Sequence, residues 1–518
     1  MNMIICRRPL FSPPRRATLY KSITTDERGS QVIEFKDKGG KVVLKKVFAG
    51  DIPEQVDDWL FTYYVYDDFG NLVCVIQPKG VKMMRETGWS DASSDVINEF
   101  CFQYSYDDRD RMIAKKVPGA EAMYMVYDKW NRLVLTQDGN MRPSARWIYT
   151  KYDILNRPVY TGFYRNILLS QAQMQATVDN FYAESTAKRY ETLANTDLGY
   201  TKDACFPEET YYDGFLTITH YDNYAWKQHY DTKYQQKDNV YDGQFYSASN
   251  NFPFPQLLVQ NNQVKGMVTG TVTYVMKNNT TNNIRLIAVV FYDEKGRAIQ
   301  TKSDNVTQGF DINTTQYSFT GQPLMSLQTQ QNASCTDLQT LITVTKMNYD
   351  ANGRLLSIQK DIKQNIGTQP QHGTGEKIIV ENEYDELGQL KKKRLGPTDL
   401  SHEVEGLAYH YNIHGWLKDI NKDIVAAPNV TGYFGMELAY DNVNVTAGPA
   451  YSNHQLNGNI AGITWASAGD QVQRRYDFTY DNANRLLNAA FIQSDGAWTN
   501  SVMDFTSTMG NGSTTSSA

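Results

Sequence analysis

The sequence predicts a mainly β protein assembled from repeated antiparallel hairpins, with short helical inserts. Two observations carry this expectation. A phrase made of Tyr-Asp, a short turn, Arg or another long residue and then an apolar run recurs about nine times in 518 residues. Tyrosine stands at 35 residues against 21 Phe and 8 Trp, and Tyr favours half-buried pleated surfaces.

The copies, in chain order, are YVYDDFGNLVCVI (64–76), YSYDDRDRMIAKKV (104–117), MVYDKWNRLVL (125–135), TKYDILNRPVYTG (150–162), VFYDEKGRAIQ (290–300), MNYDANGRLLSI (347–358), NEYDELGQLKKKRLG (382–396), YHYNIHGWLKDI (409–420) and FTYDNANRLLNAA (478–490). Weaker copies are FKDKGGKVVLKKV (35–47), THYDNYAW (219–226) and YSFTGQPLMS (317–326). A chance Tyr-Asp dipeptide is common, but copies that share one turn grammar are not.

Each part of the phrase has a physical reading. Aromatics two apart on a strand project from the same face, as at Tyr64/Tyr66, Tyr104/Tyr106 and Tyr409/Tyr411. The strand-end aspartate can accept a hydrogen bond from the backbone N–H two residues on, which starts a turn. Losing one such bond is expected to cost about 1 kcal/mol. Gly or Asn then follows at Gly70, Asn131, Asn156, Gly296, Gly353, Gly388 and Asn484, types that tolerate a left-handed backbone. The chain reverses there, and each unit reads as a hairpin with a loop of about four residues. The motif residues are Tyr66 and Asp67, Tyr106 and Asp107, Tyr127 and Asp128, Tyr152 and Asp153, Tyr292 with Asp293, Gly296 and Arg297, Tyr349 with Asp350, Gly353 and Arg354, Tyr384 with Asp385 and Gly388, and Tyr480 with Asp481 and Arg485.

Between the units lie inserts. Met174, Val178, Phe181 and Tyr182 follow Ser170 at helical spacing, which predicts an amphipathic helix over 170–192 capped by that serine. A shorter helix is expected over 94–100, feeding the Tyr104 strand. The Asn- and Gln-rich tracts 273–283 and 326–334 read as exposed loops. The organisation is then a poorly structured lead (1–29), a repeat array (30–165), a helical insert (166–200), a second array with polar loops (201–505) and a flexible tail (506–518).

Bulk composition removes several function classes. A formal charge of −6 and a pI of about 5.7 argue against a nucleic-acid footprint, which needs clustered Lys and Arg. Cys6, Cys74, Cys101, Cys205 and Cys335 are widely spaced with no CxxC pair, so they form neither a disulfide framework nor a zinc site. Cys74 and Cys101 read as buried free thiols. MNMIICRRPLFSPPRR lacks the order of a secretory signal, and no stretch approaches the roughly 20 apolar residues that span a bilayer.

The repeats resemble the RHS, or YD-repeat, family, whose signature is a Tyr-Asp strand end followed by a Gly-Arg-Leu turn and strand. The resemblance covers residues 30–505, and it extends to YHYNIHGWLKDIN, YFGMELAYD and LNGNIAGITW (456–465). It implies hairpins joined edge to edge into one long curved or spiralling sheet, a shell around a variable C-terminal toxin domain in an exported protein. A self-cleaving core segment precedes the toxin in that family; this sequence carries no matching region, so autoproteolysis and toxicity are not carried over.

Catalytic signals are weak. His410 and His414 have the spacing of a metal pair on a helix but flank a strand-to-turn junction, and His402/Glu403 lacks the second histidine of a zincin helix. No GxSxG elbow, Walker loop or dinucleotide fingerprint occurs. Asp and Arg repeated in every unit meet similar surroundings, whereas catalysis needs one environment tuned apart from the rest. The expectation is a non-enzymatic shell segment without cofactor or metal, partnered by flanking repeats and a C-terminal cargo domain of the same polypeptide. The alternative is a cell-surface adhesin that binds glycans on its Tyr rows. Both chain ends read as cut from a longer array, which predicts bare strand edges and self-association.

Overall fold

Alternating strands separated by turns pair with their sequence neighbours because a tight turn leaves the next strand nowhere else to go. The computed structural model describes residues 19–25, 31–49, 58–89, 94–165, 168–184, 187–208, 212–245, 254–277, 280–367, 371–396, 403–427, 432–441, 446–480, 484–494, 498–500 and 505–508. Their strands belong to one long antiparallel sheet. By contacts the chain divides into two units, Met1–Ala122 with Tyr409–Ala518, and Met123–Ala408.

In the first unit the strands Tyr20–Thr25, Gln31–Lys36, Val42–Phe48, Trp59–Tyr66, Leu72–Ile76, Cys101–Tyr106 and Met112–Lys116 pair in order. Phe434–Ala439, Gly462–Ser467, Gln473–Tyr480 and Leu486–Ser494 form a second run. The strand Phe505–Thr508 pairs with Leu486–Ser494 on one side and Tyr20–Thr25 on the other. Among the described residues, Tyr20–Thr25 and Phe505–Thr508 are therefore paired with each other where bare edges were expected. Segments read as a poorly structured lead and a flexible tail each contribute residues to that pairing.

The second unit runs in sequence order from Met123–Tyr127 to Leu390–Leu395, each strand antiparallel to the next. Two tracts read as loops are strands here. The Asn-rich tract 273–283 falls on the paired strands Val268–Lys277 and Thr280–Tyr292, with 278–279 outside the described residues, and Pro323–Asn332 takes in most of the Gln-rich tract. In the latter, buried Leu327 and Thr329 alternate with Gln328 and Gln330. Period-two burial there overrides polar composition.

One face of this second unit is apolar and covered. Directly opposite residues share a face, so Val126, Leu135 and Tyr149 lie together, as do Tyr160, Ile218 and Val272. Residues of two inserts pack on them: Met174, Tyr182 and Phe206 before the strand Tyr212–Tyr221, and Trp226 and Phe245 after it. The insert helix is Gln171–Ala183, shorter than expected, and Ser170 caps it through a reciprocal bond with Gln173. Helix Ser94–Phe100 is as expected; Pro78–Glu86 was not foreseen, and it starts on a proline without a side-chain cap.

Past Val344 the same face turns polar. Val344 lies opposite Asp361, and Glu381 lies opposite Arg394. Arg394 pairs with Glu381 at 3.1 Å, Glu383 at 2.7 Å and Glu403 at 3.3 Å. The aliphatics move to the other face, where Met347, Ile358, Val380 and Leu395 stand in one row across four strands.

Candidate functional site

The feature that recurs is the junction between one hairpin and the next. At Asp128 the carboxylate Oδ1 accepts the N–H groups of Trp130 and Arg132, both at 2.9 Å, and Oδ2 accepts Arg132 Nε at 2.7 Å. Asn131 closes the turn by donating its N–H to the Asp128 carbonyl, with φ at 64°. The register then slips by one residue beside Tyr127. Two well-placed N–H donors, a left-handed residue and a bulge together fix the reversal.

The same arrangement repeats. Arg111, Arg157, Arg297 and Arg354 donate Nε to Asp107, Asp153, Asp293 and Asp350 at 2.7, 2.7, 2.6 and 2.5 Å. Gly296, Gly353 and Gly388 take φ of 74°, 80° and 85°. Asp67 bonds the N–H of Phe69 and of Asn71, and Asp385 those of Leu387 and Gln389. Sequence reasoning identified the first acceptor role but missed the second N–H and the guanidinium. The five-letter spacing from Tyr to Arg was the available signal, since it sets Arg four residues after Asp.

The tyrosine reaches sideways to the preceding hairpin. In the second unit the hydroxyls of Tyr152, Tyr221, Tyr292, Tyr317, Tyr349 and Tyr384 donate to the carbonyls of Leu133, Pro158, Val268, Ala298, Pro323 and Leu355, at 2.7–3.3 Å. In the first unit Tyr66, Tyr106, Tyr440 and Tyr480 do the same to Val42, Leu72, Leu417 and Ile460. In most of these the acceptor is the residue just after the Arg position of the earlier hairpin. That Arg lies over the ring of the same tyrosine: Arg132 on Tyr152 at 4.8 Å, Arg157 on Tyr221 at 4.1 Å, Arg297 on Tyr317 at 5.0 Å and Arg354 on Tyr384 at 4.8 Å. Tyr, Asp and Arg therefore act as one clasp across each junction.

Not every copy completes it. Tyr127 directs its hydroxyl to Met125 Sδ, and Asp481 lies outside the described residues. Tyr221-Asp222 starts no tight turn: a long insert follows, and Asp222 instead receives Arg157 from the earlier hairpin. Arg485 is described, following Asn484 at φ 60°.

Electrostatics follow the bonding. Burial raises the Asp67 and Asp107 carboxyls, but the surrounding N–H donors, and Arg111 at Asp107, outweigh it and hold both below the usual range. Asp350 is lowered first by the Arg354 N–H. Burial raises the phenols of Tyr66 and Tyr106. At the Arg-bearing turns both carboxylate oxygens accept bonds from the turn itself, so the group serves as an anchor of the reversal.

Other polar groups serve the insert. Lys151 Nζ meets Glu191 Oε1 at 2.9 Å with both side chains wholly buried, while Thr201 and the N–H groups of Ala204 and Cys205 also reach that carboxylate. Burial pushes the Cys205 thiol up to about 12. His220 lies flat on Trp226, 4.0 Å between centroids, and both its ring nitrogens are buried without a hydrogen-bond partner. Burial pushes its pKa down to about 3. A shallow cleft of about 590 Å³ is lined by Lys188, Asp197, Tyr200 and Asp203 among others. His410 Nδ1 contacts Asp419 at 2.6 Å and His414 stacks on Trp416, so the two histidines face different partners.

No family model matches the sequence, and no curated protein matches it. The chain is similar to solved structures of TcdB2-TccC3-TEV (TM-score 0.31, 12% identity, 90% of this chain and 19% of that one). It is similar also to the Photorhabdus luminescens Tc holotoxin pore with the TccC3-D651A mutation (0.30, 12%, 91% and 19%). TcdB2-TccC3 without its hypervariable C-terminal region gives 0.30, 12%, 90% and 19%. The chain thus spans about a fifth of the length of those chains.

Proposed function

We propose that the chain is a non-catalytic wall segment of the RHS type, in which successive hairpins build a curved sheet that encloses or presents another part of a larger exported polypeptide. The observation that carries the reading is the clasp, the same Tyr hydroxyl to carbonyl bond at ten junctions. A group spent on joining neighbours at so many junctions is the chemistry of a wall. The Tyr rows offer little to a glycan, because the hydroxyls are donated to backbone and several rings lie under Arg.

Over residues 123–344 the chain's own inserts pack on the apolar face, so a cargo would meet the polar stretch beyond Val344 or regions outside this one. The test joins the segment to the polypeptide that adjoins it in the natural gene. Protease protection of the adjoining domain, lost when the segment is deleted, is the expected result. Protection that persists without the segment, or saturable glycan binding by the isolated chain, overturns the reading.

A further inference from the structure

Strands Leu72–Ile76 and Cys101–Tyr106 are paired with Cys74 opposite Gln103 and Ile76 opposite Cys101. Residues two apart on a strand share a face, as do residues directly opposite, so Cys74 and Cys101 are diagonal neighbours on one face. That face carries a small core in which Ile76 and Cys101 pack with Val81 and Met84 of helix Pro78–Glu86 and Val96 of helix Ser94–Phe100. Cys101 is wholly buried and Cys74 half-buried. The Cys101 S–H donates to the Val96 carbonyl at 3.7 Å, and each thiol shifts the other's acidity, Cys101 lowering Cys74 and Cys74 raising Cys101.

We propose that Cys74 and Cys101 are a dithiol that closes to a disulfide in an oxidising compartment, locking the two helices onto the sheet. Cys74 is the attacking sulfur, because it is half-buried whereas Cys101 is wholly buried with its S–H on the Val96 carbonyl. Its thiolate attacks one sulfur of a small-molecule disulfide such as oxidised glutathione and expels one glutathione thiolate. The Cys101 thiol then gives up its proton and attacks Cys74 Sγ in the mixed disulfide, releasing the second glutathione. Two protein thiols are oxidised and one glutathione disulfide is reduced to two thiols. Diagonal pairs stand further apart than directly opposite ones. Cys101 is the first residue of its strand, immediately after the helix, so closing the bridge takes a shift of that strand end and not of the whole strand. The cross-link encloses both helices in one covalent loop, and such a loop restricts the unfolded chain.

The test incubates the full chain with oxidised glutathione or with a reductant, then alkylates under denaturing conditions, digests it and maps the peptides. A Cys74–Cys101 linked peptide in the oxidised sample alone is expected, with a higher thermal midpoint than in the reduced sample. Cys74→Ser and Cys101→Ser should each abolish both effects, and Cys205→Ser neither. If Cys74→Ser does not fold, Cys74→Ala serves in its place, and the wild-type peptide map stands independently of either. Glutathione retained on Cys74 with Cys101 open to alkylation, or either cysteine linked to a different partner, overturns the proposal.

Discussion

The hydroxyl of Tyr292 donates to the carbonyl of Val268 at 2.7 Å, tying the end of one strand to the start of the return strand of the hairpin before it. Tyr317 repeats the bond to Ala298, and Tyr349 to Pro323. A strand pair is marginal alone and needs neighbours. This bond, with the Asp–Arg pair beside it, makes each hairpin depend on the next.

Removing the anchor should cost according to burial. Asp128 is 1% exposed and the Arg132 side chain 9%. Asp128→Ala leaves Arg132 Nε and two N–H groups without their acceptor, so a loss of about 2–3 kcal/mol is expected rather than the 1 kcal/mol of a single turn bond. Asp350→Ala, where Arg354 is more exposed, should cost less. Urea unfolding of the two variants side by side checks the order.

The Lys151–Glu191 pair should behave as a buried ion pair. Lys151→Met leaves an uncompensated carboxylate and should destabilise by about 3–5 kcal/mol. Lys151→Met combined with Glu191→Leu should recover a good part of that, measured as a double-mutant cycle by denaturant unfolding. A double variant no better than Lys151→Met would mean that Thr201, Ala204 and Cys205 carry the site.

His220 sets an acid limit. Its folded pKa of about 3 lies below the ordinary 6.5, so between those values the unfolded chain binds the extra proton. Stability is fully present above 6.5 and is lost as pH falls towards 3. Between about pH 7 and about pH 4.5 this one group should cost about 2–3 kcal/mol. His220→Phe, which keeps a ring on Trp226, should flatten that part of the urea-midpoint profile.

Gly270 is a notch for the insert. A Cβ there would come 2.2 Å from the Trp226 ring and 2.6 Å from the Ala288 carbonyl. Gly270→Ala should displace Trp226, costing about 1–3 kcal/mol, with altered tryptophan fluorescence.

Much of the fold was legible because the repeat writes local rules in every copy. Tyr66-Asp67 to Gly70 states a strand end, an acceptor and a left-handed residue in order, and the hairpins form where that grammar occurs. What fills the sheet face was not legible. Trp226 and Phe245 sit in helical turns of five and four residues, too short to show a period, and Gly270 under Trp226 hints at a close approach. The Gln-rich strand 323–332 misled because composition was weighed above alternation. The clasp was half legible: Asp to turn is local, but Tyr152 to Leu133 joins residues whose nearness depends on the pairing of strands.

The most direct test is amide hydrogen exchange on a chain in which Tyr292, Tyr317 and Tyr349 are all replaced by Phe, so that three hydroxyls and little else are removed. If these tyrosines join hairpins, each lost bond of about 1 kcal/mol should speed exchange roughly fivefold in the strands Val268–Lys277, Ala298–Asp304 and Pro323–Asn332. Strands Arg146–Tyr152 and Pro158–Arg165 should keep their protection. Unchanged exchange across residues 268–332 would contradict the clasp as the bond that holds successive hairpins of the sheet together.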